Sequence, residues 1–518
     1  MRAFLNEIKR RKVWQVMLIY VAVAWLLVQV ADTLLPMFDA PQWVVQAFTI
    51  LLALGFPVAV ILAWAYDLTP EGVKRMGPAR KVENTDGSGA WAITPGESSS
   101  DRGKERSNQE VSIHDPRSWI AVMPFKVASN DADLAQLGEG LTDSICAGLA
   151  RFSYLAVVAR ESVAGKAAEI SDVREFSRAL GARHVIEGGV RRSGDSVRVS
   201  LRLIESAAGV SLWAENYTVD LATTDLFAAE DDISDRVVAT LADSFGVLVG
   251  SMTRLIGDKA KQDLTPNDWV LLTFEYLRQY LPAGHAELRD GLEGAVQRHP
   301  RNAELKACLA QVYLNEYNFG FNTRPAPLDR ALKAAEAAVE LDGNSQLANQ
   351  QLAQVLFFRR DPDRFRPAAE RAMALNPLDT HTLGILGLLF VHLREFERGT
   401  HFTQRAMDLN RNHAHWCHFS WIWYHCARGE YEQALQRVSR VNISGNFWIP
   451  LATAVICVRL GREREAGDAV SSLLELDPDF ARHGRADIEA WHYASGLEDM
   501  LIDSLEQAGL ALERAIPG

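Results

Sequence analysis

Cysteine is scarce. The 518-residue chain holds five, Cys146, Cys308, Cys417, Cys426 and Cys457, and none stands in CxxC spacing. An odd, scattered set excludes a disulfide framework and a zinc ribbon. All five fall within helical patterns, so buried reduced thiols are expected. Catalytic signatures are missing as well. There is no HExxH or GxSxG. Gly165-Lys166 lacks the upstream glycine and the following Ser/Thr of a phosphate loop. Gly138-Glu-Gly140 runs on to Asp143 where a dinucleotide fingerprint needs glycine. Both read as turn or helix-start glycines. A net positive charge is absent from the main body. Residues 1–81 hold nine Lys/Arg against five Asp/Glu, so the net charge of −12 leaves −16 on residues 82–518. That excludes a broad electrostatic footprint for nucleic acid.

Long apolar runs are present, and they sit at one end. Val13–Leu35 and Trp43–Tyr66 are each long enough to cross a bilayer at about 1.5 Å per residue. Pro36–Gln42 between them has room only for a tight turn and carries no Lys or Arg. Arg2, Lys9, Arg10, Arg11 and Lys12 precede the first run, and Lys74, Arg75, Arg80 and Lys81 follow the second. Positive flanks on both sides of an uncharged turn predict a two-helix transmembrane hairpin with both termini cytoplasmic. The basic flank suits anionic membrane lipid. A cleaved signal peptide fits poorly, because Ala22-Val-Ala24 lies inside an unbroken apolar run and a second span follows.

Residues 77–116 interleave Gly, Pro and Ser with charges and read as a flexible linker. Periodicity returns at Ser118. Trp119–Phe125, Tyr154–Val158, His184–Val190, Val197–Ile204 and Val210–Tyr217 read as strands, with Leu134–Phe152, Val173–Leu180 and Leu226–Phe245 as helices. Ser193-Gly-Asp-Ser196 is a hairpin turn and Gly181 a helix cap. The order predicts a small mixed α/β domain over 117–250. Glu230, Asp231, Asp232 and Asp235 read as solvated acids early in a helix rather than a cation site.

Several stretches carry a resemblance: Ile120-Ala-Val-Met-Pro-Phe125, Gly140-Leu-Thr-Asp143, Val157-Val-Ala-Arg160, Val185–Arg192 and Leu212-Trp-Ala-Glu-Asn-Tyr217. Together they resemble the TolB-amino-terminal-like domain, a module often found in bacterial membrane proteins and beside class III adenylate cyclase modules. The hairpin resembles the same set at Val23–Asp32 and at Leu54–Pro57 through Leu68–Gly72. The resemblance supplies no catalytic residues. Related chains carry a cyclase or winged-helix domain, whereas this sequence begins almost directly with the first span.

The second half repeats. Leu341, Leu375, Leu409, Ile443 and Leu476 fall 34, 34, 34 and 33 residues apart, each closing an apolar-periodic stretch before a turn. Leu309-Ala310-x-x-Tyr313, Leu352-Ala353-x-x-Leu356 and Leu386-Gly387-x-x-Phe390 form a second column, and Phe396-x-x-Gly399 and Tyr431-x-x-Ala434 a third. This is the tetratricopeptide pattern, one helical hairpin per period. Six repeats are expected over 265–480, with about nine extra residues around Asn318–Pro325 and capping helices over 481–518.

One cluster stands out, His415-Trp-Cys-His418 followed by His425. At 100° per residue His415, His418, Ile422 and His425 share one face, and Trp416, Ser420, Trp423 and Ala427 nearly the opposite one. The first set is expected to face outward as a partner-binding face, with affinity responding to protonation near pH 6. Solvated or hydrogen-bonded histidines are the bland alternative; Cys417, between the faces, is the one hint of a metal.

The sequence thus predicts three parts: residues 1–76 as N-terminal segment and transmembrane hairpin, the mixed α/β domain, and an all-α tetratricopeptide solenoid. The functional expectation is a scaffold or signalling adaptor of the bacterial inner membrane, facing the cytoplasm. It would bind an unknown protein partner through its repeats, without nucleic acid, cofactor, metal or catalytic residues. The alternative is a regulatory or divergent member of an adenylate-cyclase-associated signalling system.

Overall fold

A computed structural model describes residues 66–69 and 72–75 and most of 118–513, apart from 128–130, 171, 258, 280–281, 444 and 492–495. The predicted spans therefore lie outside the described residues, save Tyr66. Among the described residues no helix is long and apolar enough to cross a membrane. The chain divides into two units, 1–108 and 109–518. In the first, β1 (Tyr66–Thr69) pairs antiparallel with β2 (Gly72–Arg75). Tyr66, assigned to the end of the second span, opens a strand instead.

The second unit begins with a sheet of β3 (Ser118–Val122), β4 (Lys126–Val127), β5 (Leu155–Val157), β6 (His184–Ser193), β7 (Ser196–Glu205) and β8 (Val210–Asp220). The order is β5-β3-β6-β7-β8, with β4 also on β6. β3 runs parallel to β5 and β6; β6, β7 and β8 form an antiparallel meander. β7 shows why. Val197, Val199, Leu201 and Leu203 are buried while Arg198, Ser200 and Arg202 are exposed, the period-two signature of a half-buried strand. Gly194 takes φ +61 at the first of the two turn positions between β6 and β7, where a side chain would be strained.

Helices α1 (Ala132–Leu149), α2 (Arg160–Glu169), α3 (Val173–Leu180) and α4 (Leu226–Ala242) cover this sheet. The sequence reading lacked α2 and β4. α2 buries only Val163 and has no side-chain cap, so it carries almost no amphipathic signal. Gly138, Gly140 and Gly165 are not turn glycines but lie inside helices. A Cβ at Gly140 would meet the Glu230 carboxylate of α4, so this glycine leaves room for that side chain between the two helices.

Helix α5 (Val247–Ile256) leads into an all-helical, tetratricopeptide-like solenoid. Its pairs are α6 (Pro266–Gln279) with α7 (Pro282–Arg298), α8 (Ala303–Asn318) with α9 (Pro327–Leu341), and α10 (Gln346–Phe358) with α11 (Pro362–Leu375). Then come α12 (Thr380–His392) with α13 (Phe396–Leu409), α14 (His418–Ala427) with α15 (Tyr431–Val438), and α16 (Trp448–Arg459) with α17 (Glu463–Leu476). A last pair, α18 (Phe480–Ala490) and α19 (Leu497–Gln507), follows. The periodic leucines end α9, α11, α13 and α17, whereas Ile443 lies five residues beyond the end of the short α15. The small-residue columns are contact points: a Cβ on Gly387 would stand 2.8 Å from the Gly399 carbonyl oxygen, and one on Gly399 2.5 Å from that of Gly387.

One apolar core runs from Ile120 of β3 through α4, α6, α8 and α10 to Leu409 of α13. Gly148 of α1 lies against both Val238 and Leu378. The Tyr154 ring meets Phe274 edge-on at 5.1 Å, and its hydroxyl donates to the Ala242 carbonyl. The α/β part and the first repeats thus share one interior.

Candidate functional site

The fifth repeat differs from its neighbours. A 3-10 turn over His415–Cys417 delays the start of α14 to His418. His415 is therefore off the helix, and the 100° spacing that grouped it with the others does not apply. Ile422 is fully buried and belongs to the second apolar core with Trp423, Val455 and Leu473. The four predicted residues do not share an exposed face. Of the face assigned to the core, Ser420 and Trp423 are buried, Trp416 is half-buried and Ala427 is exposed.

The histidines fall into two groups. His425 Nδ1 lies 2.7 Å from Glu430, which also accepts from Arg428. His413, His415 and His418 cluster at the other end, with ring centroids 5.3 Å apart for His413–His418 and 6.2 Å for His413–His415. His415 Nδ1 donates to the Arg440 carbonyl at 3.1 Å. His418 is 6 % exposed, and its Nδ1 has no partner. Burial, then the charges of His413, Arg437, His415 and Arg440, push His418 down to about 4. Burial also lowers His413. His418 therefore stays neutral at pH 6 and does not take part in the expected switch there: desolvation and the nearby arginines disfavour a further positive charge. Cys417 is buried, and burial raises its thiol well above the usual range. Among the described residues no group of His, Cys, Asp and Glu could hold a metal ion. Three of the four acids flagged in α4 are engaged: Glu230 accepts from Ser144, Asp232 pairs with Arg236, and Asp235 pairs with Arg405 of α13.

The first helices of the second and third repeats bury a row of amide side chains. Gln311, Asn315, Gln350 and Gln354 are buried. Gln311 donates to Asn315 at 2.9 Å, Gln354 to Gln311 at 3.4 Å, and Gln350 Oε1 lies 2.9 Å from the Thr382 hydroxyl. At the carboxyl ends of these helices sits Trp491, from the end of α18. Its ring lies 5.3 Å from Phe358, 5.9 Å from His392, 6.1 Å from Phe319 and 5.9 Å from Trp448. His392 Nδ1 donates to its carbonyl at 3.1 Å. Trp491 thus covers the carboxyl ends of α8, α10 and α12.

At the amino ends sits a junction that sequence reasoning missed. Asp243, 2 % exposed, accepts from Thr380 Oγ1 at 2.6 Å, the His381 amide at 2.9 Å and the Phe245 amide at 2.9 Å. Asp379 caps α12, accepting from the amides of His381 at 3.1 Å and Thr382 at 3.2 Å and from the Thr382 hydroxyl at 2.9 Å. Two buried carboxylates thus converge on one amide. Burial and then the charge of Asp243 push Asp379 up to about 7, while its hydrogen bonds work the other way. The Asp379-Thr-His-Thr cap is readable as a helix start. That Asp243, more than a hundred residues earlier, reaches the same amino terminus has no local signal.

Comparisons with known proteins fit a mosaic. Residues 116–236 match the family described as HilA/YgeH-like transcriptional regulator, second domain. That description differs from the TolB-amino-terminal-like expectation for the same stretch. A Rhizobium meliloti (strain 1021) protein that carries an adenylate cyclase name is 30% identical over 245 residues. The match covers 47% of this chain and 41% of that protein, so the chain spans less than half of the curated relative. Among solved structures, Pseudomonas aeruginosa PilF is similar at 17% identity and TM-score 0.31, over 40% of this chain and 90% of that one. YrrB, a TPR protein described as having an unusual peptide-binding site, is similar at 19% identity and TM-score 0.26, over 36% and 93%. The repeat architecture stands on the chain's own paired helices.

Proposed function

We propose that this chain is a membrane-anchored, cytoplasm-facing adaptor that binds a protein partner through its helical repeats and catalyses no reaction itself. The observation that carries the reading is the stack of helix pairs from Pro266 to Leu476, a form that offers side chains from successive repeats to one partner. The anchoring rests on the two positively flanked apolar runs, and the α/β part is read as a TolB-amino-terminal-like module. Because Trp491 and the buried glutamines occupy the first-helix row, the partner meets the outer surface and the repeat edges.

The test is a pull-down from detergent-solubilised native membranes with the full chain as bait, beside an alkaline phosphatase fusion at Gly518. A reproducible partner with a silent fusion supports the reading; an active fusion reverses the topology, and no specific partner removes the adaptor role. A second reading is favoured by the relative with an adenylate cyclase name: a regulatory or divergent member of a cyclase-associated signalling system. Cyclic AMP production from magnesium ATP by the purified full chain would replace the adaptor reading with an enzymatic one. A cyclase among the captured partners would join the two.

A further inference from the structure

The cluster in the fifth repeat has donors in excess and lacks acceptors. Arg437 and Arg440 make no ion pair with any carboxylate among the described residues; the groups acting on Arg437 are its own burial and the charge of Arg440. Arg437 stacks over the Trp421 ring at 4.9 Å. Trp421 and His418 stand three residues apart on α14, hence on one face. Trp421 Nε1 and His418 Nδ1 are both buried and without a partner. An indole N–H can only donate, and a guanidinium only donates. His413 and His415 add no negative charge, and the nearest acid on this repeat, Glu430, is committed to His425 and Arg428. Two like charges set together beside orphaned buried donors cost free energy unless something negative arrives.

We propose that Arg437, Arg440, Trp421 and His418 form a binding site for a phosphate-type oxyanion. Phosphate is favoured over carboxylate: three oxygens and nearly two charges answer two guanidinium groups, the Trp421 N–H and His418 in its Nδ1–H tautomer better than two oxygens and one charge. The phosphate could be free or carried on a phosphorylated side chain of a partner; the second source rests on the adaptor reading above.

The full chain in detergent micelles is titrated calorimetrically with sodium phosphate at constant ionic strength, with sodium chloride as control. A phosphoserine peptide and its unphosphorylated form follow. Saturable phosphate binding is expected, weakened about tenfold or more in Arg437→Gln/Arg440→Gln, as loss of charge-assisted hydrogen bonds implies. Arg440→Glu, a reversal at an exposed position, should abolish it without disturbing the fold, and His425→Ala should leave it intact. His418 should titrate higher with phosphate bound, a shift a merely structural arginine pair would not give. Phosphopeptide binding without the unphosphorylated form assigns the source to a partner; phosphate binding without phosphopeptide binding keeps the site and counts against the adaptor role. No binding at millimolar phosphate, equal effects of chloride, or unchanged affinity in Arg440→Glu overturns the proposal.

Discussion

Replacing Asp243 with alanine should loosen the junction between the sheet module and the repeats before it unfolds anything else. The carboxylate serves three donors: Thr380 Oγ1, the His381 amide and the Phe245 amide. The His381 amide keeps Asp379 at 3.1 Å, so two donors are orphaned. A buried donor left unpaired costs about 1–3 kcal/mol. Against that, removing Asp243 relieves the second-largest cause of the raised Asp379 pKa, so that carboxyl should fall toward the ordinary carboxylate range. The net expectation is a loss of about 2–4 kcal/mol, concentrated at the junction. Hydrogen exchange on the full chain reads it directly: amides at 242–246 and 378–382 should exchange much faster, while β6 and β7 stay protected. Asp243→Asn keeps one acceptor and should lie between. Unchanged protection at 378–382 in Asp243→Ala would mean that the apolar contacts alone hold the parts together, and would refute the argument.

Ile422→Ala should destabilise the last repeats by about 2–5 kcal/mol, as for a buried aliphatic truncation; a neutral result in thermal melts would restore the exposed face. Trp491→Ala should cost about 2 kcal/mol, since the side chain is half-buried, and should raise hydrophobic-dye binding by uncovering Phe319 and Phe358; unchanged dye binding argues against a covering role. Burial and then the charge of Arg183 push His184 down to about 4. The unfolded chain then binds a proton between about pH 6.5 and 4 that the folded chain does not, so this histidine's contribution, on the order of 3 kcal/mol, is complete above 6.5 and lost as pH falls toward 4. Asp379, raised to about 7, works with the opposite sign over the same window. His184→Gln should therefore flatten the acid side of the melting profile, and a variant as acid-sensitive as the parent would show that His184 carries none of it.

The fold was most legible where burial repeats with a fixed period. The repeat leucines end four of the second helices because the 34-residue period counts one helix pair at a time, and the alternation in β7 survives because one face joins the apolar core that includes residues of α1 and α4. Legibility failed where the period is interrupted. Repeat five inserts a 3-10 turn before α14, so a helical wheel started at His415 rotates Ile422 to the wrong side. It failed again where partners are distant in sequence. Nothing around Asp243 announces Thr380, and nothing around Trp491 announces Phe319, because each contact is set by how many repeats stack between the two. The phosphate-site donors were half seen: the histidines drew attention, while Arg437, Arg440 and Trp421 look like ordinary surface residues until the missing carboxylates are counted.

That the sheet module and the repeats share one interior changes how the chain can be dissected. Residues 117–250 and 265–518 look separable in sequence, since α5 lies between two distinct periodicities. In the structure, α4 packs on α13, Leu378 fills the space beside Gly148 and Val238, and Tyr154 reaches both Ala242 and Phe274. Cutting at residue 250 would strip apolar side chains from both pieces and leave Asp243 without Thr380 and the His381 amide, while Asp379 keeps its own donors. Each exposed aliphatic side chain would forfeit about 1.5–3 kcal/mol of burial, against a stability of about 5–15 kcal/mol for a typical domain. Partner or ligand binding by either fragment would then report on a newly exposed core rather than on the native surface. Trp416, two residues before His418 in the chain, links repeat five to the sheet module: its ring meets His381 edge-on at 5.6 Å, and the His381 amide donates to Asp243. A ligand on repeat five that shifts Trp416 should change exchange at 242–246 in the parent and less so in Asp243→Ala, where the His381 amide has lost Asp243 but the His381 ring still meets Phe245 edge-on at 4.9 Å.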